Sequence, residues 1–141
     1  NETDEKLIII GSGSQERYLK KIASKNIKFI EYSNSSVVYK YVSKAKAFIH
    51  AGIEDFGIAP VEAQACGTPV IGIKKGGLKE TIIEDKTGVF FEKQEAKAIL
   101  NALDRFKYIQ FNPAEIRKNA LAFSSSTFET KINNFVNSKI K

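Results

Sequence analysis

Apolar residues along this chain fall into two kinds of run, short continuous blocks and longer stretches with helical spacing. The continuous blocks are rich in Ile, Val and Phe and lie at residues 6–10, 27–32, 47–50, 70–73 and 89–91. Short β-branched and aromatic blocks bounded by glycine or polar residues are typical of buried strands. The pattern therefore predicts five strands.

Between and after these strands, apolar positions recur every three or four residues, which predicts helices. The predicted helices cover residues 15–24, 35–44, 60–67, 78–83 and 95–106, and two more follow near the C-terminus. Ser12 with Gln15, and Ser126 with Glu129, have the spacing of a capping box at a helix start. Pro113 is placed to begin a helix, because its missing N–H needs no partner there.

Strands that alternate with helices of about ten residues predict an α/β fold. We expect one Rossmann-like domain over residues 1–141, with a doubly wound, mostly parallel sheet, helices on both faces and additional C-terminal helices. Sheets of this kind bind ligands at the carboxyl ends of their strands, in the loops that lead to the helices. Those loops are where functional residues are expected.

Composition excludes several classes of protein. The chain is 43% hydrophobic and 27% charged, as is typical of a folded soluble domain, and no apolar run approaches the roughly 20 residues of a membrane span. One cysteine, Cys66, and one histidine, His50, cannot form an internal disulfide or a four-ligand zinc site. A cytoplasmic location and no metal are expected. Because the chain begins with Asn1 and contains no methionine, it is also expected to be part of a longer protein.

The formal net charge is +6, carried mostly by scattered lysines. A basic balance favours anionic partners such as nucleotides, phosphates or acidic lipid headgroups. The chain has no aromatic RNA-binding signature and no basic recognition helix, so nucleic acid is not an expected partner.

The segment GSGSQE follows the first predicted strand and opens a helix. Gly11 and Gly13 stand where glycines let a phosphate approach backbone amides at a helix start. The third glycine of a dinucleotide fingerprint is missing, since Glu16 occupies that position, so NAD binding is not expected. A plain tight turn is the alternative to a ligand-lining loop.

The segment EDFGIAPVE, residues 54–62, carries the strongest chemical signal. With Pro60 as the first helical residue, Ala59 becomes the N-cap and Glu62 the third residue. A glutamate at that position usually reciprocates a polar cap, and Ala59 cannot supply one. Glu62 is therefore not explained by a capping box.

Glu54 precedes that helix among the apolar residues Ile53, Phe56 and Ile58, which we expect to be at least partly buried. Gly57 permits a turn after which free amides could face an anion. Carboxylates accept hydrogen bonds from hydroxyls and would repel phosphates, so acids beside an anion-binding helix start suit a ligand that carries both groups. A nucleotide sugar is such a ligand.

The ordered series of motifs from about residue 6 to residue 106 resembles the nucleotide-binding, C-terminal half of the retaining GT-B glycosyltransferases, the large family 4 group. The series comprises EDFGI and PVE with the two glutamates eight positions apart, ACGTPVIG, the pair Gly76-Gly77, Glu80 and TGVFF. In that family the first glutamate faces the donor sugar and the second holds the ribose.

The resemblance implies a role for each matching residue. Glu54 would orient the donor sugar as the catalytic residue, and Glu62 would hold the ribose hydroxyls. Tyr32, in the loop at residues 30–33, is a candidate for contact with the base, with a packing or surface tyrosine as the alternative. The remaining donor-binding candidates are Asp55, Phe56, Gly57, Ile58 and Ala59 through their backbone, and Gly76 and Gly77 as lining residues. Gly11 and Gly13 complete the predicted site.

The chain departs from the family in two places. Ala51-Gly52 replaces the Pro-Ser or Pro-Ala that many relatives have before the loop. No segment before residue 6 matches the strand-loop-helix unit that supplies the family's diphosphate-gripping Arg and Lys. That unit would provide the central strand, and we expect it upstream in the full protein. The isolated 141 residues are then expected either to close the gap differently or to borrow a strand.

The resemblance implies transfer of a sugar, with mannose from GDP-mannose as the leading donor, to a glycan or lipid-linked acceptor bound by a separate N-terminal domain. No cofactor is implied, since the chain has no Asp-x-Asp metal motif. The positive charge fits a protein that works at the inner face of the membrane. A sugar-nucleotide epimerase of the same architecture and a non-enzymatic nucleotide-binding module are the alternatives.

Overall fold

The structure is a computed structural model that describes residues 2–32 and 34–140. It divides into two compact units, Asn1–Tyr41 and Val42–Lys141. Strands and helices alternate in both units, as the sequence predicts.

The first unit contains two parallel strands with helices after them. Its elements are β1 (Leu7–Ile10), α1 (Glu16–Ile22), β2 (Ile27–Ile30) and α2 (Ser35–Val42), whose last residue belongs to the second unit. The register of the strand pair runs from Leu7 opposite Ile27 to Ile10 opposite Ile30.

The second unit contains three parallel strands and five helices among its described residues. Its elements are β3 (Phe48–His50), α3 (Ile58–Ala65), β4 (Val70–Ile73), α4 (Leu78–Thr81), β5 (Gly88–Phe91), α5 (Ala96–Phe106), α6 (Pro113–Leu121) and α7 (Ser125–Lys139). The strand order is β3-β4-β5, and every residue of β4 and β5 is buried. Continuous burial explains why these strands appear in the sequence as unbroken apolar runs.

The strands form two separate parallel sheets rather than one. Among the described residues, β1 pairs only with β2, and β3 pairs only with β4. Within the described residues, β1, β2, β3 and β5 are therefore all edge strands. Among the described helices, none has the length and apolar character needed to cross a bilayer.

Helix ends differ from the sequence prediction at the starts of α1 and α7 and agree at the start of α6 and the end of α3. The N-cap of α1 is Gln15, without a side-chain cap bond, so the predicted Ser12 capping box is wrong. Ser124, not Ser126, caps α7 by accepting from the amide of Thr127. Pro113 does begin α6, capped by the Asn112 side chain, and α3 ends just before Gly67 as predicted.

A buried polar cluster fastens α3 to its neighbours. Gln64 is fully buried and donates through Nε2 to the carbonyl oxygen of Thr81, at 2.9 Å. Asn119 of α6 donates through Nδ2 to Gln64 Oε1 at 2.7 Å and to the same Thr81 carbonyl at 2.9 Å. Arg117 donates to the carbonyl oxygens of Ala65 and Cys66 at the end of α3. These bonds fix the helix that carries the candidate site.

Replacing Gln64 by leucine is expected to lower the free energy of unfolding by about 1–3 kcal/mol, because Asn119 loses a buried acceptor. Urea denaturation of the full-length protein measures this change. Gln110→Leu is the matched control, since Gln110 is exposed, and it should stay within about 0.5 kcal/mol of wild type. Equal stability of the two variants would contradict the structural role of the cluster.

Candidate active site

The carboxyl ends of two adjacent parallel strands bring the two main sequence motifs together. His50 at the end of β3 lies opposite Gly72 of β4, so the loops that follow these strands emerge at one sheet edge. The Gly77 amide donates to the carbonyl oxygen of Glu54 at 2.9 Å. The predicted residues 54–59, 62, 76 and 77 therefore form one continuous region.

The pair Gly76-Gly77 lies directly against the backbone of the Glu54 loop. A Cβ at Gly76 would overlap the carbonyl oxygen of Glu54, and a Cβ at Gly77 would overlap that of Asp55 and lie 2.6 Å from Phe56 Cα. Only glycine lets the two loops approach this closely. The two glycines thus set the position of the Glu54 loop.

Helix α3 begins two residues earlier than predicted. Its N-cap is Gly57, in the left-handed region at φ 84°, and Ile58 is the first helical residue. A Cβ at Gly57 would lie only 2.9 Å from Leu78 Cδ1, so this turn packs against α4. Pro60 is tolerated as the third residue because an amide there has no partner within the helix. The prediction of Ala59 as N-cap and Pro60 as first residue is wrong.

The corrected start moves Glu62 into the second turn of α3, as its fifth residue. The first turn, where an interaction with the helix dipole is strongest, contains no acidic residue. The helix dipole therefore gives little reason for a glutamate at position 62. The Glu62 side chain is exposed. Its predicted role toward the ribose remains a prediction.

The start of α3 offers backbone donors to an anion. The amides of Ile58 and Ala59 belong to the first turn and have no acceptor within the helix. Both residues are exposed, whereas Pro60 is buried. Amides at a helix start, together with the positive end of the helix dipole, favour phosphate groups.

Apolar residues around Glu54 are more exposed than predicted. Ile53, Phe56 and Ile58 are 53%, 44% and 66% exposed. The Phe56 ring meets that of Phe123 edge to face, with centroids 5.8 Å apart. Sequence reasoning missed Phe123, because no local pattern predicts a contact between residues so distant in sequence.

The Glu54 carboxylate is half exposed and lies near an imidazole. Its Oε1 lies 3.5 Å from Nε2 of His50, the histidine that ends β3. Sequence analysis gave His50 no role in the site. The i to i+4 spacing of the pair was the available signal, although it predicts a contact only in a helix.

Two further side chains near the site have structural partners. The ammonium nitrogen of Lys74 lies 3.6 Å from a carboxylate oxygen of Glu92 and 4.0 Å from one of Glu84. The charge of Lys74 is therefore already paired with two acids. Burial raises the pKa of the Cys66 thiol, and the positive charge of Arg117 partly opposes this rise. Cys66 is therefore protonated at neutral pH and is suited to packing rather than to nucleophilic attack.

The remaining predicted residues belong to the first unit. Gly11 follows β1, and its amide donates to the carbonyl oxygen of Ile30 at 3.0 Å. Gly13 accepts from the Glu16 amide at the start of α1, also at 3.0 Å. Tyr32 is exposed, with its hydroxyl 3.4 Å from Ser35 Oγ, and Ser33 of the predicted base loop lies outside the described residues. Their roles toward a donor remain predictions.

Comparison with known proteins shows similarity along most of the chain. The GDP-mannose-dependent monoacylated alpha-(1-6)-phosphatidylinositol monomannoside mannosyltransferase of Corynebacterium glutamicum is 33% identical over 111 residues, 71% of this chain and 29% of the relative. Sucrose-phosphate synthase of Thermosynechococcus elongatus superposes with a TM-score of 0.73 at 25% identity, over 94% of this chain and 38% of that one. The lipopolysaccharide outer core galactosyltransferase WaaB superposes at 0.80 with 19% identity, over 96% and 41%.

These relatives share the GT-B fold, so the α/β fold class expected from the sequence is confirmed. The chain spans less than a third of the curated mannosyltransferase. The family described as "Glycosyl transferases group 1" matches residues 1–122, which cover the five strands and the helices through α6. The chain therefore belongs to the group 1 glycosyltransferase family.

Proposed function

We propose that this chain binds the donor in a retaining glycosyltransferase that moves a sugar from a nucleotide to an acceptor hydroxyl. The observation that carries the proposal is the Gly77 to Glu54 hydrogen bond at the carboxyl ends of β3 and β4. It ties the Gly76-Gly77 turn to Glu54, whose half-exposed side chain belongs to the loop that leads into α3. Membership of the family supports the reaction class.

The proposed division of roles follows from charge. The amides of Ile58 and Ala59 receive the diphosphate, because a helix start favours anions. Glu54 and Glu62 accept hydrogen bonds from hydroxyls of the sugar and of the ribose, since ionised carboxylates are acceptors only. The contribution of the protein to the reaction is then mainly electrostatic stabilisation of the departing diphosphate.

GDP-mannose is the proposed donor, and a glycan or a lipid-linked molecule the proposed acceptor. The C. glutamicum relative is named as GDP-mannose-dependent and as acting on a phosphatidylinositol mannoside. The net charge of +6 supports work near an anionic membrane surface on the cytoplasmic side. The acceptor would be bound by parts of the full-length protein outside this chain.

Calorimetric titration of the full-length protein with GDP, UDP and ADP tests the donor class, and GDP is expected to bind most tightly. Glu62→Ala should weaken GDP binding about tenfold, because a charge-assisted hydrogen bond is lost. The 2′-deoxy analogue of GDP makes the test specific. Wild type should bind the 2′-deoxy analogue more weakly than GDP. Glu62→Ala should bind the two nucleotides equally well.

The matched control is Glu115→Ala, which removes an exposed carboxylate from the first turn of α6. This variant should bind all three nucleotides like wild type. Equal binding of all three nucleotides, unaffected by Glu62→Ala, would contradict the proposed site.

A further inference from the structure

His50 is a largely buried polar residue to which the proposed mechanism gives no role. Its side chain is only 13% exposed, and its Nε2 atom is shielded from solvent with no hydrogen-bond partner among residues 2–32 and 34–140. A buried polar nitrogen without a partner costs free energy. Such a group in a native protein calls for a functional explanation.

The carboxylate of Glu54 lies near this nitrogen. Glu54 Oε1 lies 3.5 Å from His50 Nε2, and the geometry does not meet that of a hydrogen bond. The Glu54 side chain is half exposed, so small rotations of its torsions can shorten the distance without displacing packed atoms. The imidazole is held more firmly, beside the Phe48 ring on the same strand.

Gly52 keeps the space between the two side chains open. A Cβ at Gly52 would lie 3.1 Å from His50 Nε2 and 3.7 Å from Glu54 Oε1. Any larger residue would therefore crowd the imidazole nitrogen from the side where the carboxylate approaches. The segment Ala51-Gly52, which departs from the family pattern, fits a residue pair that needs this room.

We propose that His50 is a positioning residue for Glu54, an inference that rests on the proposed function. When the sugar of the donor binds, Nε2–H donates to Glu54 Oε1. This bond restrains one carboxylate oxygen and directs the other toward a sugar hydroxyl. Both the neutral imidazole with its proton on Nε2 and the imidazolium can donate in this way. His50 itself does not touch the donor.

The inference separates binding of the sugar from binding of the nucleotide. Only Glu54 depends on His50, so loss of the imidazole should affect GDP-mannose and spare GDP. A purely structural role of His50 in β3 would instead weaken both ligands together. Gln is the conservative replacement, because its amide nitrogen can reach the position of Nε2 and donate, whereas Phe has a ring of similar size without a donor.

The experiment is calorimetric titration of the full-length protein with GDP and with GDP-mannose, or with UDP and UDP-glucose if the uridine nucleotide binds best. His50→Phe should leave the Kd for GDP within about twofold and weaken GDP-mannose about 3- to 10-fold. His50→Gln should recover most of the loss. In a Glu54→Ala background, His50→Phe should cause no further loss, since the acceptor oxygens at position 54 have already been removed.

The possible outcomes distinguish the positioning role of His50 from the proposed role of Glu54, on which it rests. If Glu54→Ala weakens GDP-mannose binding and His50→Phe does not, the positioning role of His50 is overturned while the role of Glu54 stands. Additive losses in the double variant, or a parallel loss of GDP affinity, also overturn it. If Glu54→Ala leaves GDP-mannose binding unchanged, the proposed role of Glu54 fails and the inference fails with it.

Discussion

Gly77→Ala is expected to weaken nucleotide-sugar binding at least tenfold and to destabilise the protein by about 1–3 kcal/mol. The added Cβ would overlap the Asp55 carbonyl oxygen and lie 2.6 Å from Phe56 Cα. Both obstacles are backbone atoms, so no side-chain rotation can relieve the overlap. The loop that carries Glu54 must move, and the bond from the Gly77 amide to the Glu54 carbonyl is strained or lost.

The backbone conformation of Gly77 does not contribute to the expected loss. Gly77 has φ −65° and ψ −15°, a helical conformation that alanine adopts without strain, so the expected loss arises from contact alone. Calorimetry with GDP-mannose and urea denaturation of the full-length protein measure the two effects. Gly13→Ala is the control for stability, since a Cβ there meets nothing within 4 Å. Wild-type donor affinity in Gly77→Ala would show that the two loops are not coupled.

Sequence pattern predicted the order and type of every described strand and helix, for a physical reason. Parallel strands buried on both faces must be apolar at every position, and β4 and β5 are such strands. Helices α3 and α4 bury residues three or four positions apart, although α1, which has similar apolar spacing, has no buried residue. Both signals are local and survive in a single sequence.

Helix starts and loop contacts were less predictable because tertiary packing decides them. At α3, the left-handed Gly57 packs on Leu78, and this contact outweighs the usual preference for proline at the first helical position. At α7, neighbouring serines offer equivalent caps, and sequence alone does not choose Ser124. The Gly77 to Glu54 bond joins two loops through the pairing of β3 with β4, so no local pattern encodes it.

The candidate site was predictable to the extent that its chemistry is carried by consecutive residues. Residues 54–62 combine acids, a glycine turn and a proline near a helix start, so a family resemblance can assign roles to them from the sequence alone. The role proposed for His50 depends on the 3.5 Å distance between its Nε2 atom and Glu54 Oε1, which only the structure provides. A residue that acts through another is harder to infer from sequence than a residue expected to contact the ligand.

Glu54→Ala is expected to lower kcat/KM for sugar transfer by the full-length protein about 10²- to 10³-fold. As a glycosidic bond breaks, positive charge develops on the sugar ring, and a carboxylate beside the sugar stabilises that charge. The Glu54 side chain is 50% exposed, so its removal leaves no large buried cavity. The fold and the amides at the start of α3 should therefore persist.

The measurement is transfer of radiolabelled mannose from GDP-mannose to the acceptor fraction of membranes, with GDP affinity determined in parallel. Glu54→Gln should fall between wild type and Glu54→Ala, because it keeps the size and one acceptor oxygen but loses the charge. Asp104→Asn, which alters a carboxylate on α5 that is 70% exposed, should transfer at the wild-type rate. If GDP affinity stays within about twofold while transfer is lost, Glu54 acts on the sugar and not on the nucleotide. Undiminished transfer by Glu54→Ala would refute the assignment of Glu54 as the catalytic residue.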